Sequence, residues 1–111
     1  MSEPVWHRAC RLADVKDAEP VGVKPAGTPV GIYRVDGRCH AVHDICTHEY
    51  ALLSQGWQDG ASIECPLHQA RFDVVTGKCL VGPAHGDLAV FPVRIDGDDV
   101  LVGLVPNPET P

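Results

Sequence analysis

The sequence predicts an all-β protein, a small antiparallel β-sandwich or barrel that carries a cap built from loops. Three observations lead there. Eleven glycines and ten prolines among 111 residues exceed the usual share, which suits turns and leaves little room for long helices. The apolar runs are short, rich in β-branched residues and separated by glycine-containing turns. Two β-rich ends bracket a central segment that carries paired Cys and His residues.

The elements follow in order. Trp6 is expected to anchor a first strand, and Leu12 to Asp17 suits one short helical turn. Val21 to Val23 precedes the turn-like Lys24-Pro25-Ala26-Gly27. Pro29 to Val35 is a β-branched run with Tyr33 in it. Asp36-Gly37 is the strongest hairpin turn in the chain, with Arg38 to His43 as the returning strand. Short strands are expected at Ser62–Glu64 and Arg71–Val75, then a Thr76-Gly77 turn and a Gly82-Pro83-Ala84 loop. Leu88 to Ile95 alternates around Pro92, which favours an edge strand or its end. Asp96-Gly97-Asp98 turns the chain, and Val100 to Val105 pairs back.

The length suits one domain, residues 1–111. Its basal β part is expected at about 1–43 and 86–105, and its Cys/His subdomain at about 44–85. The tail 106–111 lacks packing residues and should fray.

Charge excludes some functions. The formal net charge is −6, and the nine basic residues form no run. Nucleic acid and anionic membrane surfaces both demand basic patches, so neither is an expected partner. No apolar run approaches a membrane span, and no charged start followed by an apolar stretch marks a signal peptide. A cytoplasmic protein is expected. Five cysteines, an odd number without regular spacing, argue against a disulfide scaffold. Cys10, Cys39 and Cys79 read as small, partly buried hydrophobes.

The chemistry lies in Cys46-Thr47-His48 and Cys65-Pro66-Leu67-His68, with sixteen residues between His48 and Cys65. Each pair can sit on one loop with both side chains facing one point. Thiolate and imidazole suit zinc or an iron–sulfur cluster equally well. Structural zinc sites usually combine paired cysteines with histidines spaced along a helix. Here each loop gives one Cys and one His. A one-residue gap is tight for two ligands of one tetrahedral ion. It is natural where neighbouring side chains reach different atoms of an elongated, two-metal cluster.

The pattern C-x-H-x₁₆-C-x₂-H, with Pro66 after the second Cys, resembles the Rieske [2Fe–2S] motif. The run ECPLHQARFD, then TGK and GPA, is similar to Rieske ferredoxins of bacterial aromatic-ring-hydroxylating dioxygenase systems, and the likeness covers nearly the whole chain. The resemblance implies the Rieske type of β-sandwich and one [2Fe–2S] cluster. It implies Cys46 and Cys65 as ligands of one iron and His48 and His68 as ligands of the other. It also makes Gly82-Pro83-Ala84 the loop that shields the cluster.

Neutral imidazoles add no negative charge, so this ligand set accepts an electron more readily than four thiolates. High-potential relatives carry two further cysteines, where this chain has Ala51 and Leu67. They also place a serine and a tyrosine where Ala70 and Phe72 stand here. Fewer hydrogen-bond donors imply the low end of the Rieske range, about −150 mV.

The resemblance implies a one-electron carrier, not an enzyme. It would take electrons from an NAD(P)H-dependent flavoprotein reductase and pass them to a terminal oxygenase. A monomer is expected. One alternative is a Rieske subunit of a different redox complex, such as a multicomponent monooxygenase. Another is a Cys₂His₂ zinc module. Among the other residues, His40 and His43 read as structural, and His85 follows the loop that shields the cluster. Asp44 and Glu64 read as turn-stabilising or docking residues. Trp57 is expected to pack over the cluster or plug the core of the cap.

Overall fold

The computed structural model describes residues 3–46, 51–66, 70–81 and 86–105. Alternating or continuous apolar runs give the strands β1 (Val5–Arg11), β2 (Val21–Val23), β3 (Val30–Val35) and β4 (Arg38–His43). They continue as β5 (Trp57–Asp59), β6 (Ser62–Glu64), β7 (Arg71–Asp73) and β8 (Cys79–Val81). The chain ends with β9 (Val90–Phe91), β10 (Val93–Asp96) and β11 (Asp99–Leu104). Single 3₁₀ turns at Leu12–Asp14, Pro25–Gly27 and Leu53–Gln55 are the only helical elements among the described residues. The strands form three antiparallel sheets, in the orders β1-β11-β10, β2-β3-β4-β9 and β5-β6-β7-β8. The expected all-β architecture is therefore observed.

Turn chemistry sets the registers. Asp36 and Gly37 both take positive φ, 51° and 79°, as a two-residue hairpin loop of the mirror-image type requires. They join Val35 to Arg38, the last pair of β3 and β4. Pro92 has no N–H to give a ladder, and the strands part there. Phe91 pairs with Ala41 of β4, whereas Val93 pairs with Val102 of β11. The run expected at Leu88 to Ile95 is thus two short edge strands in two sheets. The strand expected at Arg71–Val75 stops at Asp73. The Asp73 carboxylate accepts the N–H groups of Val75 and Thr76, which turns the chain at once. The short β5 and β8 carried no separate pattern in the sequence.

The middle sheet is the shared wall. One face, with Val30, Ile32 and Ala41, joins Val15, Val100, Val102 and Leu104 in one core. The other, with Tyr33 and Val42, joins Leu53, Ile63, Phe72, Val74 and Leu88 in a second core. This explains why β3 begins with four fully buried residues, Val30 to Tyr33, rather than an alternating run. Cys10 sits in the first core, and burial raises its thiol pKa to about 11. Cys39 and Cys79 are partly buried, as expected of small hydrophobes. Trp6 on β1 is partly buried, with the Arg94 guanidinium 4.2 Å from its ring centroid.

Trp57 contradicts its expected packing: it is 62% exposed. The reason is strand alternation. Gln58, Ile63 and Phe72 form the inward row across β5, β6 and β7, which turns the row of Trp57, Glu64 and Arg71 outward. The expected tail 106–111 and the Gly82-Pro83-Ala84 loop lie outside the described residues, as do Thr47, Leu67 and His85.

Gly56 marks a place where the backbones nearly touch. A Cβ there would collide with the Glu64 carbonyl oxygen and stand 3.2 Å from that of Leu53. Gly56→Ala should therefore lower stability by about 1–3 kcal/mol through overpacking. Urea unfolding of the variant against the wild type measures it.

Candidate metal centre

The two cysteines are reached by two similar arms. After β4, the His43 N–H donates to the Ala89 carbonyl and the Asp44 N–H to that of Pro29. Ile45 then bridges Leu52, and the Leu53 N–H bonds the Asp44 carbonyl at 2.8 Å. The Cys46 N–H closes this first arm on the Ala51 carbonyl at 3.0 Å. The second arm is β6 running into β7. There the Cys65 N–H closes on the Ala70 carbonyl at 2.8 Å. In both arms a cysteine bonds the alanine five positions later, so the loops above them have the same length.

Both cysteines are inward. Cys46 is 3% exposed and Cys65 is fully buried. They share the second core with Ala51, Ala70 and Phe72. Ala51, Ala70 and Phe72 give the pocket apolar side chains on the protein side of the two thiols. Its donor set suits a thiophilic metal or an iron–sulfur unit. The expected ligands His48 and His68 lie on the two loops outside the described residues. Among the described residues, no three His, Cys, Asp or Glu side chains converge as metal ligands.

The arms are braced from several sides. The Arg71 guanidinium pairs with the Glu64 carboxylate at 3.0 Å across the base of the second loop. This pair is partly exposed, so its contribution is small. The segment after β8 is pinned where it returns. The Leu88 N–H donates to the Gly77 carbonyl, and the Asp87 carboxylate accepts the Cys79 N–H.

The brace of the first arm was not visible in the sequence. Asp44 is only 2% exposed. Its Oδ1 accepts the Ser54 N–H at 2.7 Å, and its Oδ2 accepts the Ser54 hydroxyl at 2.6 Å. The space for this clamp comes from Gly22 of β2 and Gly31 of β3, which are cross-strand partners. A Cβ on Gly31 would stand 2.9 Å from Asp44 Oδ1, and one on Gly22 would collide with Ser54 Oγ. The Tyr33 hydroxyl also lies 2.9 Å from that Gly31 position, and it has no hydrogen-bond partner among the described residues. Burial pushes the Asp44 carboxyl above the usual carboxylate range, and the bonds from Ser54 oppose the rise. Burial likewise pushes the Tyr33 phenol far up, helped by Asp44. Asp44 thus stabilises a turn, as expected. Its partners could not be anticipated, because Ser54, Gly22 and Tyr33 are brought to it only by the sheet.

The Rieske [2Fe-2S] domain family matches residues 5–92. The ferredoxin component of the naphthalene 1,2-dioxygenase/salicylate 5-hydroxylase systems of a Ralstonia species is 42% identical over 97 residues, which is 87% of this chain and 93% of the relative. The solved ferredoxin of Sphingomonas yanoikuyae B1 superposes with a TM-score of 0.85 at 37% identity, covering 90% of this chain and 99% of that one. A chain in the solved complex of reduced oxygenase and oxidised ferredoxin in carbazole 1,9a-dioxygenase superposes with a TM-score of 0.83 at 36% identity, covering 89% and 93%.

The unpartnered Tyr33 hydroxyl yields a stability test. Tyr33→Phe removes a buried polar group that makes no bond among the described residues, so stability should hold or rise by about 1 kcal/mol. Urea unfolding midpoints of the two proteins check this.

Proposed function

The chain belongs to the Rieske [2Fe-2S] domain family, and on that premise we propose that it serves as the ferredoxin component of an aromatic-ring dioxygenase system. The observation that carries the reading is the pair of buried cysteines, each closing an equal loop over one core. With family membership along most of the chain, it makes this a carrier of single electrons and not a catalytic subunit.

The donor set fits the family's cofactor. Cys46 and Cys65 would hold one iron as thiolates. His48 and His68 would hold the other through imidazole nitrogens. When bound, a [2Fe–2S] cluster supplies a site that takes up and releases one electron. The protein's part is to hold and tune it. The two arms fix the thiolates at the bases of their loops. Ala51, Ala70 and Phe72 exclude water from the sulfur side and donate no side-chain hydrogen bond. The loops at 47–50 and 67–69 would present the imidazoles to a partner. In the domain division that follows, residues of about 44–85 bind the cluster and those of about 1–43 and 86–105 form the base.

The donor in this reading is an NAD(P)H-dependent flavoprotein reductase, and the acceptor is a terminal oxygenase. A relative solved together with its oxygenase supports the second step. No helix among the described residues is long and apolar enough to cross a membrane. We place the protein in the cytoplasm as a monomer that docks to each partner in turn.

EPR of the dithionite-reduced protein tests the ligand set. A rhombic signal with average g below that of all-cysteine ferredoxins is expected. His48→Ala and His68→Ala should each abolish it, together with oxygenase turnover in the reconstituted system. A colourless protein with stoichiometric zinc would overturn the reading. Redox titration of the wild type should give about −150 mV, because hydroxyl donors are missing at positions 70 and 72. A clearly positive potential would contradict that argument.

A further inference from the structure

The sheet β5-β6-β7-β8 turns one face to solvent at the end where the second ligand loop begins. A single row crosses that face from edge to edge: Trp57 pairs with Glu64, Glu64 with Arg71, and Arg71 with Val81. Four strands make the row about 14 Å wide. Trp57 is exposed at one end. At the other end Val81, and Leu80 at the register shift of β8, are 55% and 52% exposed. Glu64 and Arg71 fill the middle as an ion pair. Edge strands of soluble proteins usually carry charge or proline, which keeps other chains away. Here both edges of the sheet present large apolar side chains beside the loop.

Two positions further from the loop the same face becomes acidic. Asp59, Ser62 and Asp73 form the next outward row. Glu64 is matched by Arg71, whereas no ion pair reaches Asp59 or Asp73 among the described residues. The face is therefore apolar and balanced in charge beside the loop, and negative behind it. A protein surface that fits it has an apolar recess for an indole, with Lys or Arg side chains beyond the recess. Tryptophan and arginine are the side chains that most often anchor protein interfaces, and opposite charges speed the encounter. A partner seated here also lies against the loop at 67–69, because Glu64 and Arg71 flank the base of that loop.

Resting on the electron-carrier reading above, we propose that this face docks the terminal oxygenase, with the Trp57 indole as its anchor and Asp59 and Asp73 facing a basic margin of the oxygenase. In the carbazole 1,9a-dioxygenase system an oxygenase forms a complex with a ferredoxin, and a chain of that complex superposes on 89% of this one. That favours the oxygenase over the reductase as the occupant. The indole acts on docking and not on the cluster. Its row faces outward, whereas Ile63 and Phe72 of the next row fill the core that holds the two cysteines. Affinity for the oxygenase is thus separable from the cluster's own properties.

The test uses the cluster-loaded protein in the reconstituted system of reductase, ferredoxin and terminal oxygenase. Trp57→Ala should raise the KM for ferredoxin in oxygenase turnover about tenfold, as loss of an interface anchor does. Its kcat, g values and reduction potential should match the wild type, and Trp57→Phe should recover most of the affinity. Reductase-driven cytochrome c reduction needs no oxygenase, so the ferredoxin KM there should not move. An unchanged oxygenase KM overturns the proposal, as does an equal rise with both partners or a rise with the reductase alone. Altered g values or a shifted potential overturn it too, because the indole would then act on the cluster. If Trp57→Ala fails to load, Asp59→Lys decides. A rise in oxygenase KM over the wild type that shrinks with added salt supports the proposal, and an unchanged KM overturns it. Failure of the electron-carrier reading is seen separately, as a wild-type protein with the Rieske EPR signal that drives no oxygenase, and the proposal falls with it.

Discussion

The structure turns on one backbone contact made twice, a cysteine N–H on the carbonyl of the alanine five residues later. Each such bond closes an arm and fixes where its thiol enters the core. Neither arm is a strand hairpin of useful length. The first is a single bridge between Ile45 and Leu52. The second joins two strands of three residues each. Isolated two-stranded pairs of this size are not stable in water. Their geometry has to come from what they pack against.

That support is the middle sheet. Its strand β3 is apolar on both faces, so it seals the base on one side and offers Tyr33 to the arms on the other. Asp44 ties the first arm to the turn at Leu53–Gln55, which fills the same core through Leu53. Ile63, Phe72 and Val74 tie the second arm to that core by burial. One arm is thus held by a polar clamp and the other by apolar packing. The difference matters electrostatically. The polar clamp brings a carboxyl group into the interior, whereas the second arm keeps its ion pair, Glu64 and Arg71, at the partly exposed base of its loop.

Much of this was legible in the sequence because short-range chemistry carried it. Asp36-Gly37 announced a mirror-image turn, and the positive φ angles at both residues are that turn. Pro92 announced an edge, and the chain changes sheets there. The Cys and His spacing announced a two-metal site, and the family match agrees. What stayed hidden depends on neighbours far along the chain. Nothing near Gly22 or Gly31 says that they face each other, and nothing near Ser54 says that it meets Asp44. Trp57 went astray for a related reason. A tryptophan between two ligand loops suggests a plug, but the register of β5 against β6 gives the inward position to Gln58.

The register also explains how an exposed tryptophan can coexist with a dry centre. Trp57, Glu64 and Arg71 form one outward row across three strands, with Val81 beyond Arg71 on β8. That row lies at the end of the sheet from which the second loop rises, since Glu64 precedes Cys65 and Arg71 follows Ala70. The next row inward, Ile63 with Phe72, is fully buried. Within one residue of chain, therefore, the sheet passes from solvent to the apolar wall beside the cysteines. A carrier of single electrons needs that short passage. Its centre has to be shielded from water, which would add donors and raise the potential, yet lie close enough to the surface for an electron to cross to a docked partner. A sheet one strand-layer thick meets both demands, because each strand's alternation provides an outer face and a dry face at successive positions along the chain.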